Sequence, residues 1–200
     1  FNEDKKILKL FDKSYKGVYL DIGCYHPTRV NNTLSLYRKG WRGMNIDLNQ
    51  LTIDMFNYAR PGDINICAAI SNKEIKKKLY YLGDLDPKNT LDLKHKSWLK
   101  TTFNISNKDI KTRYVKTLRL EKILDKHNFK EIDFMNIDIE GHEIEVLKSI
   151  NFRKTKFNVI CVEVLDYDKR KKKQLLNFFK KNNYFLKKKV SINYIFQKKS

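Results

Sequence analysis

Two acids and a glycine, placed at the ends of apolar runs, are the residues of this chain best suited to hold a nucleoside. Gly23 closes the run VYLDIG and Asp47 closes GMNID, separated by the roughly 20 to 25 residues expected of one strand–helix–strand unit. A glycine at a strand end lets backbone N–H groups approach a ligand, and an acid at the tip of the next strand can accept hydrogen bonds from two ribose hydroxyls. The three glycines of a pyrophosphate cradle are missing, because Gly23 is followed by Cys24, Tyr25, His26 and Pro27. That pattern suits a cofactor with a ribose and no phosphate, and S-adenosylmethionine (SAM) meets the description. Buried strands also end in Asp and Gly for turn reasons alone.

A second constellation lies at Asp138, Glu140 and His142. Residues two apart on a strand share a side, so both carboxylates can face the crevice above the carboxyl end of a parallel sheet. One acid would meet a cofactor ammonium, the other would orient an acceptor, and His142 would take a proton from an acceptor hydroxyl, since histidine titrates in the useful range. His142 could equally be an exposed residue of a helix's first turn. Glu163, with Asp138 and Asp166, offers oxygen ligands for a hard divalent ion such as Mg²⁺; strand-end carboxylates can also simply accept from neighbouring backbone groups.

The elements that must position these residues alternate, which predicts an α/β fold with a mainly parallel sheet. Strands are expected at about 18–22, 43–47, 64–68, 133–138 and 158–164, with a terminal hairpin near 184–188 and 192–197. Helices are expected over 32–39, 51–58, 118–127, from Glu140 onward, and 168–182; in the third of these, Leu120, Ile123, Leu124 and His127 form one stripe with His127 at its end. Residues 71–116 break the alternation and read as a short hairpin and an excursion that stands over the strand ends, where substrate pockets are commonly shaped.

Length suits one domain. No apolar run approaches the roughly 20 residues that cross a bilayer, and no signal-like segment is visible. Three widely spaced cysteines, Cys24, Cys67 and Cys161, read as reduced thiols of a cytoplasmic protein. The formal charge of +19 invites a nucleic-acid reading, but of the 42 basic residues only 8 are Arg, the residue expected where planar phosphate recognition matters. A lysine-rich, solvated surface is the better account, and nucleic acid is not expected as a partner.

Three segments resemble the FkbM family of SAM-dependent methyltransferases. VYLDIGCYHPTRVNNTLSLYRKGWRGMNIDLN is similar to its strand, DIG, His-Pro, Asn-Thr and Gly-Trp-x-Gly succession; IDFMNIDIEGHEIEVLKSINF resembles its IDxEGxExxVL signature; NEDK resembles a short amino-terminal Glu-Asp element. The chain departs from relatives at Asn31 and at Leu48-Asn49, both bordering the cofactor site. The resemblance implies a Rossmann-like class I methyltransferase sheet, mainly parallel and seven-stranded with a terminal antiparallel hairpin, helices on both faces, in a single domain spanning 1–200. It also implies that Asp21 and Gly23 form the first cofactor loop with Tyr25 and His26 over the methionine part, that Asn32 and Thr33 face the cofactor, and that Ala68 and Ala69 leave a flat slot for adenine. His26-Pro27 as a rigid turn, and Asn32 or Thr33 as a helix cap, are the corresponding structural readings. The implied reaction is O-methylation of a sugar, glycan or other polyhydroxylated metabolite, as in polysaccharide assembly. A nicotinamide-dependent oxidoreductase and a basic RNA-binding or RNA-modifying protein are the rival readings.

Overall fold

The computed structural model describes residues 3–165 and 167–199. The chain begins with α1 (Glu3–Leu8) and enters β1 (Val18–Ile22), α2 (Leu34–Arg38), β2 (Arg42–Asp47), α3 (Gln50–Ala59) and β3 (Ile64–Cys67). Next come β4 (Ala69–Ile70), β5 (Lys76–Tyr81), α4 (Leu93–Phe103) and β6 (Lys111–Leu118). The last third holds α5 (Leu120–Lys126), β7 (Glu131–Ile137), α6 (Glu143–Leu147), β8 (Lys156–Glu163), α7 (Lys169–Lys181), β9 (Tyr184–Val190) and β10 (Asn193–Lys198).

Seven strands form one sheet in the order β3-β2-β1-β7-β8-β10-β9. The first five run parallel, and β10 pairs antiparallel with both β8 and β9. Chain direction across the sheet reverses between β1 and β7, the switch point where a crevice opens at strand carboxyl ends. Alternation along the strands feeds two cores. Leu20 and Ile22 of β1, with Ile160 and Val162 of β8, join a cluster containing Leu124, Leu147 and Phe179 from α5, α6 and α7. On the opposite face Tyr19, Val159 and Cys161 meet Ile7 of α1, Leu36 of α2 and Trp41. Helices therefore cover both faces, as buried parallel strands require.

A polar row crosses the otherwise apolar sheet: Asp21 is in register with Asn136 on one side and Asn45 on the other, and Asn45 with Asn65. Asn136 Nδ2 donates to Asp21 Oδ1 at 2.9 Å and Asn45 Nδ2 to Asn65 Oδ1 at 2.8 Å, while the buried Asn45 Oδ1 keeps no partner among the described residues.

Two expectations are corrected. The segment 71–116 is more regular than a hairpin with an excursion: β5 and β6 pair antiparallel over six residues each, β4 adds in parallel, and the three form a second sheet carrying α4. Ten strands are thus present among the described residues. The helix expected from Glu140 begins only at Glu143, because Glu140 and Gly141 both adopt positive φ (53° and 96°) and turn the chain first. Among the described residues no helix is long and apolar enough to cross a membrane.

Candidate active site

A cavity of about 360 Å³ opens over the carboxyl ends of β1, β2, β4, β7 and β8 and is roofed by the loop after β5 that contains Asp84 and Leu91. Gly23 sits on its wall, but the glycine is required by packing as much as by a ligand. At φ 77° a Cβ there would stand 1.8 Å from the Asp138 carbonyl oxygen, while its own N–H donates to the Ile46 carbonyl at 2.9 Å.

Asp21 is fully buried beneath the cavity and accepts from Asn136 Nδ2, Asn31 Nδ2 and Thr33 Oγ1 at 2.9, 3.1 and 2.8 Å. These donors offset a desolvation that still raises its carboxyl above the ordinary range. Asp21 therefore knits the loop after β1 to the sheet. Thr33 is buried in that network, makes no side-chain cap to α2, and does not reach the cavity; His26 stands outside it too, with Nδ1 accepting the Thr28 N–H at 3.1 Å. Tyr25, at φ 54°, and Asn32, whose Nδ2 donates to Asn136 Oδ1 at 2.9 Å, do line it.

Arg60, at the end of α3, carries no motif and is 1 % exposed. Its guanidinium donates to the Pro27 carbonyl at 2.6 Å, to Asn31 Oδ1 and Thr33 Oγ1 at 2.8 Å, and lies over the rings of Tyr37 and Phe56. It is the clasp that holds the loop between β1 and α2.

Asp47 ends β2 as expected. Oδ2 accepts the Tyr25 N–H at 3.1 Å and Oδ1 the Asn49 N–H at 2.9 Å, and desolvation pushes its carboxyl up to about 6 against these bonds. Beside it Asn49 caps α3 through Oδ1, leaving a buried Nδ2 donor without a partner on the cavity wall. Leu48, Ala68 and Ala69 complete an apolar wall here together with Ile70 and Leu91. A carboxylate, an orphaned amide donor and a flat apolar surface match the ribose and base of a nucleoside.

The other half of the cavity is acidic. Asp138, Glu140 and Glu163 each bring an oxygen within 4.8 Å of the others. Burial and the neighbouring carboxylates raise Asp138 well above the ordinary range and push Glu163 up to about 11. Asp166 lies outside the described residues. Glu140 is held from the second sheet: His95 of α4, wholly buried, places Nε2 2.9 Å from Glu140 Oε2 and Nδ1 3.1 Å from the Tyr167 hydroxyl, and Thr90 Oγ1 donates to the Glu140 carbonyl at 2.6 Å.

His142 borders the cavity but is 2 % exposed, with Nε2 3.0 Å from Ser71 Oγ and Lys77 Nζ 3.2 Å from both ring nitrogens. Burial and the Lys77 ammonium lower its pKa to about 3. It is neutral at pH 7 and too weak a base to hold a proton. No spacing in the sequence singles out Arg60 or His95, since each acts on residues far away in the chain, and Asn49 stood out only as a departure from relatives.

The strand order reverses between β1 and β7, and a partly apolar half-cavity lies beside an acidic one at that switch point of an α/β sheet. The Methyltransferase FkbM domain matches residues 21–186, and the chain belongs to that methyltransferase family. A search of curated proteins found no match.

Proposed function

We propose that this methyltransferase moves the methyl group of SAM to a hydroxyl of a sugar, glycan or other polyhydroxylated metabolite. The observation that carries the reading is the division of the cavity: Asp47 and the unpartnered Asn49 amide in one half, three carboxylates in the other, and no Lys or Arg among the described lining residues. Asp47 would accept the ribose hydroxyls, Asn49 would donate to the nucleoside, and Leu48, Ala68 and Ala69 would flank the adenine. Tyr25 and Asn32 stand where the methionine part would lie. When bound, SAM supplies an electrophilic methyl on a sulfonium.

Asp138 and Glu140 would accept hydrogen bonds from acceptor hydroxyls, which is how carboxylates hold polyols and how they repel phosphates. As the acceptor hydroxyl takes up the methyl group, its proton would pass to Glu140, which His95 holds in place. We assign that proton to Glu140 and not to His142, whose environment keeps it neutral and weakly basic. The free thiols of Cys24, Cys67 and Cys161 support a reducing, cytoplasmic setting.

The test is calorimetric titration of SAM and S-adenosylhomocysteine into wild type and Asp47→Ala, followed by transfer of labelled methyl to neutral glycosides, amino sugars and nucleotide-linked sugars. Binding that Asp47→Ala weakens, with transfer to the uncharged acceptors, supports the reading. Tight SAM binding with no transfer to any sugar overturns the acceptor class.

A further inference from the structure

Asp138, Glu140 and Glu163 bring together more carboxyl groups than one proton transfer requires. They come from the end of β7, the turn after it and the end of β8, and the sheet register brings them together: Ile137 pairs with Val162, one residue before Asp138 and one before Glu163. Oxygens shared by one hard cation at roughly 2.0–2.6 Å are no more than about 5 Å apart. The three carboxylates, with oxygens within 4.8 Å of one another, meet that limit.

A second observation comes from Glu163 alone. It is 7 % exposed and lines the cavity, yet Oε2 faces no hydrogen-bond donor. A buried carboxylate oxygen in that position costs free energy unless something positive reaches it. Among the described residues no Lys or Arg lines the cavity: the nearby Lys171 is paired with Asp92 at 3.2 Å, and Lys77 is turned to His142. A cation from solution would supply the positive partner. Glu140 also has the outer support that ligating carboxylates usually show, through His95 and Tyr167.

We propose that Asp138, Glu140 and Glu163 seat a hard divalent cation of the Mg²⁺ or Mn²⁺ type in the acceptor half of the cavity. The role of the ion rests on the methyltransferase reading; the seat itself does not. Beside the acceptor, the ion would draw two neighbouring hydroxyls into its oxygen shell and raise their acidity, so that a carboxylate suffices as proton acceptor. It would also favour vicinal diols over isolated alcohols.

The experiment titrates MnCl₂ into the full chain saturated with S-adenosylhomocysteine and follows free Mn²⁺ by electron paramagnetic resonance. Wild type, Glu163→Gln, Glu140→Gln and the surface control Glu131→Gln are compared, and S-adenosylhomocysteine binding in every sample reports that the nucleoside half is folded. The expected result is one Mn²⁺ per chain in wild type and in Glu131→Gln, displaced by Mg²⁺, with affinity reduced about tenfold or more by either cavity substitution. Absence of Mn²⁺ binding in wild type at millimolar concentration, or binding that both cavity variants leave unchanged, overturns the seat. Nucleoside binding without Mn²⁺ would remove the cation and leave the methyltransferase reading standing; Mn²⁺ binding without the nucleoside would do the reverse.

Discussion

Asp47 and His142 are moved in opposite directions by the same cause, loss of water around the charged form, and the two signs give separate predictions. The Asp47 carboxyl titrates near 6, so below that pH the free protein must release a proton before the carboxylate can accept both ribose hydroxyls. S-adenosylhomocysteine affinity should therefore fall by about tenfold per pH unit below 6, and calorimetry between pH 5 and 8 should find that slope absent in Asp47→Asn. Asp47→Ala should weaken binding by roughly 2–3 kcal/mol, the worth of charge-assisted hydrogen bonds. For His142, lowered to about 3, the unfolded chain binds a proton from about pH 6.5 downward and the folded chain does not. Its contribution to stability is then present above pH 6.5 and is lost as pH falls toward 3, and its imidazole resonances should not titrate between pH 5 and 8. The position of Asp47 was legible from spacing, because a strand end is a local property; Glu140 stands in the turn after β7, which ends at Ile137, so the two-residue strand periodicity expected to carry it does not reach it. The surroundings that decide the behaviour of His142 were not legible, since Ser71 and Lys77 reach it from the second sheet.

At the scale of elements, the loop between β1 and α2 is shaped by two constraints, the close approach of Gly23 to the Asp138 backbone and the Arg60 clasp. Gly23→Ala would drive a Cβ into a carbonyl oxygen on a neighbouring strand at a φ that favours glycine, and should abolish soluble expression. Arg60→Ala would strand the Asn31 and Thr33 acceptors in the interior. It should lower stability by about 3–5 kcal/mol in urea unfolding and weaken nucleoside binding with it, because the loop it holds carries Tyr25 and Asn32. The strands and helices of the main sheet could be read from the sequence wherever both faces are buried, as in VYLDI and EIDFMNI, which are nearly continuous apolar runs. The second sheet could not, because KKKLYY and KTRYVKTL bury only Leu79 and Thr117 and show solvent a row of Lys, Arg and Tyr without apolar alternation. The turn at Glu140 was hidden for a different reason: EGHEIEVL has helical spacing, and the positive φ of Glu140 and Gly141 delays the helix.

For the molecule as a whole, the charge is distributed unevenly. A chain of formal charge +19 lines its cavity with carboxylates, Asp47, Asp138, Glu140 and Glu163 among them, and with no Lys or Arg among the described residues. The surface charges repel one another, so raising NaCl from about 20 to about 200 mM should raise the melting temperature. Any retention on RNA should disappear over the same range without sequence preference. The sheet topology acts on a different timescale. Asp21 on the central strand β1 is joined to Asn136 on β7, which is 115 residues further along the chain. On a ribosome adding roughly 5–20 residues per second, β1, β2 and β3 exist together for roughly 3–14 seconds with the unpaired side of β1 open to water, to chaperones and to other nascent chains. Yield in a heterologous host should accordingly respond to the speed at which codons 71–137 are translated, although most of those residues lie outside the strand pairing they delay.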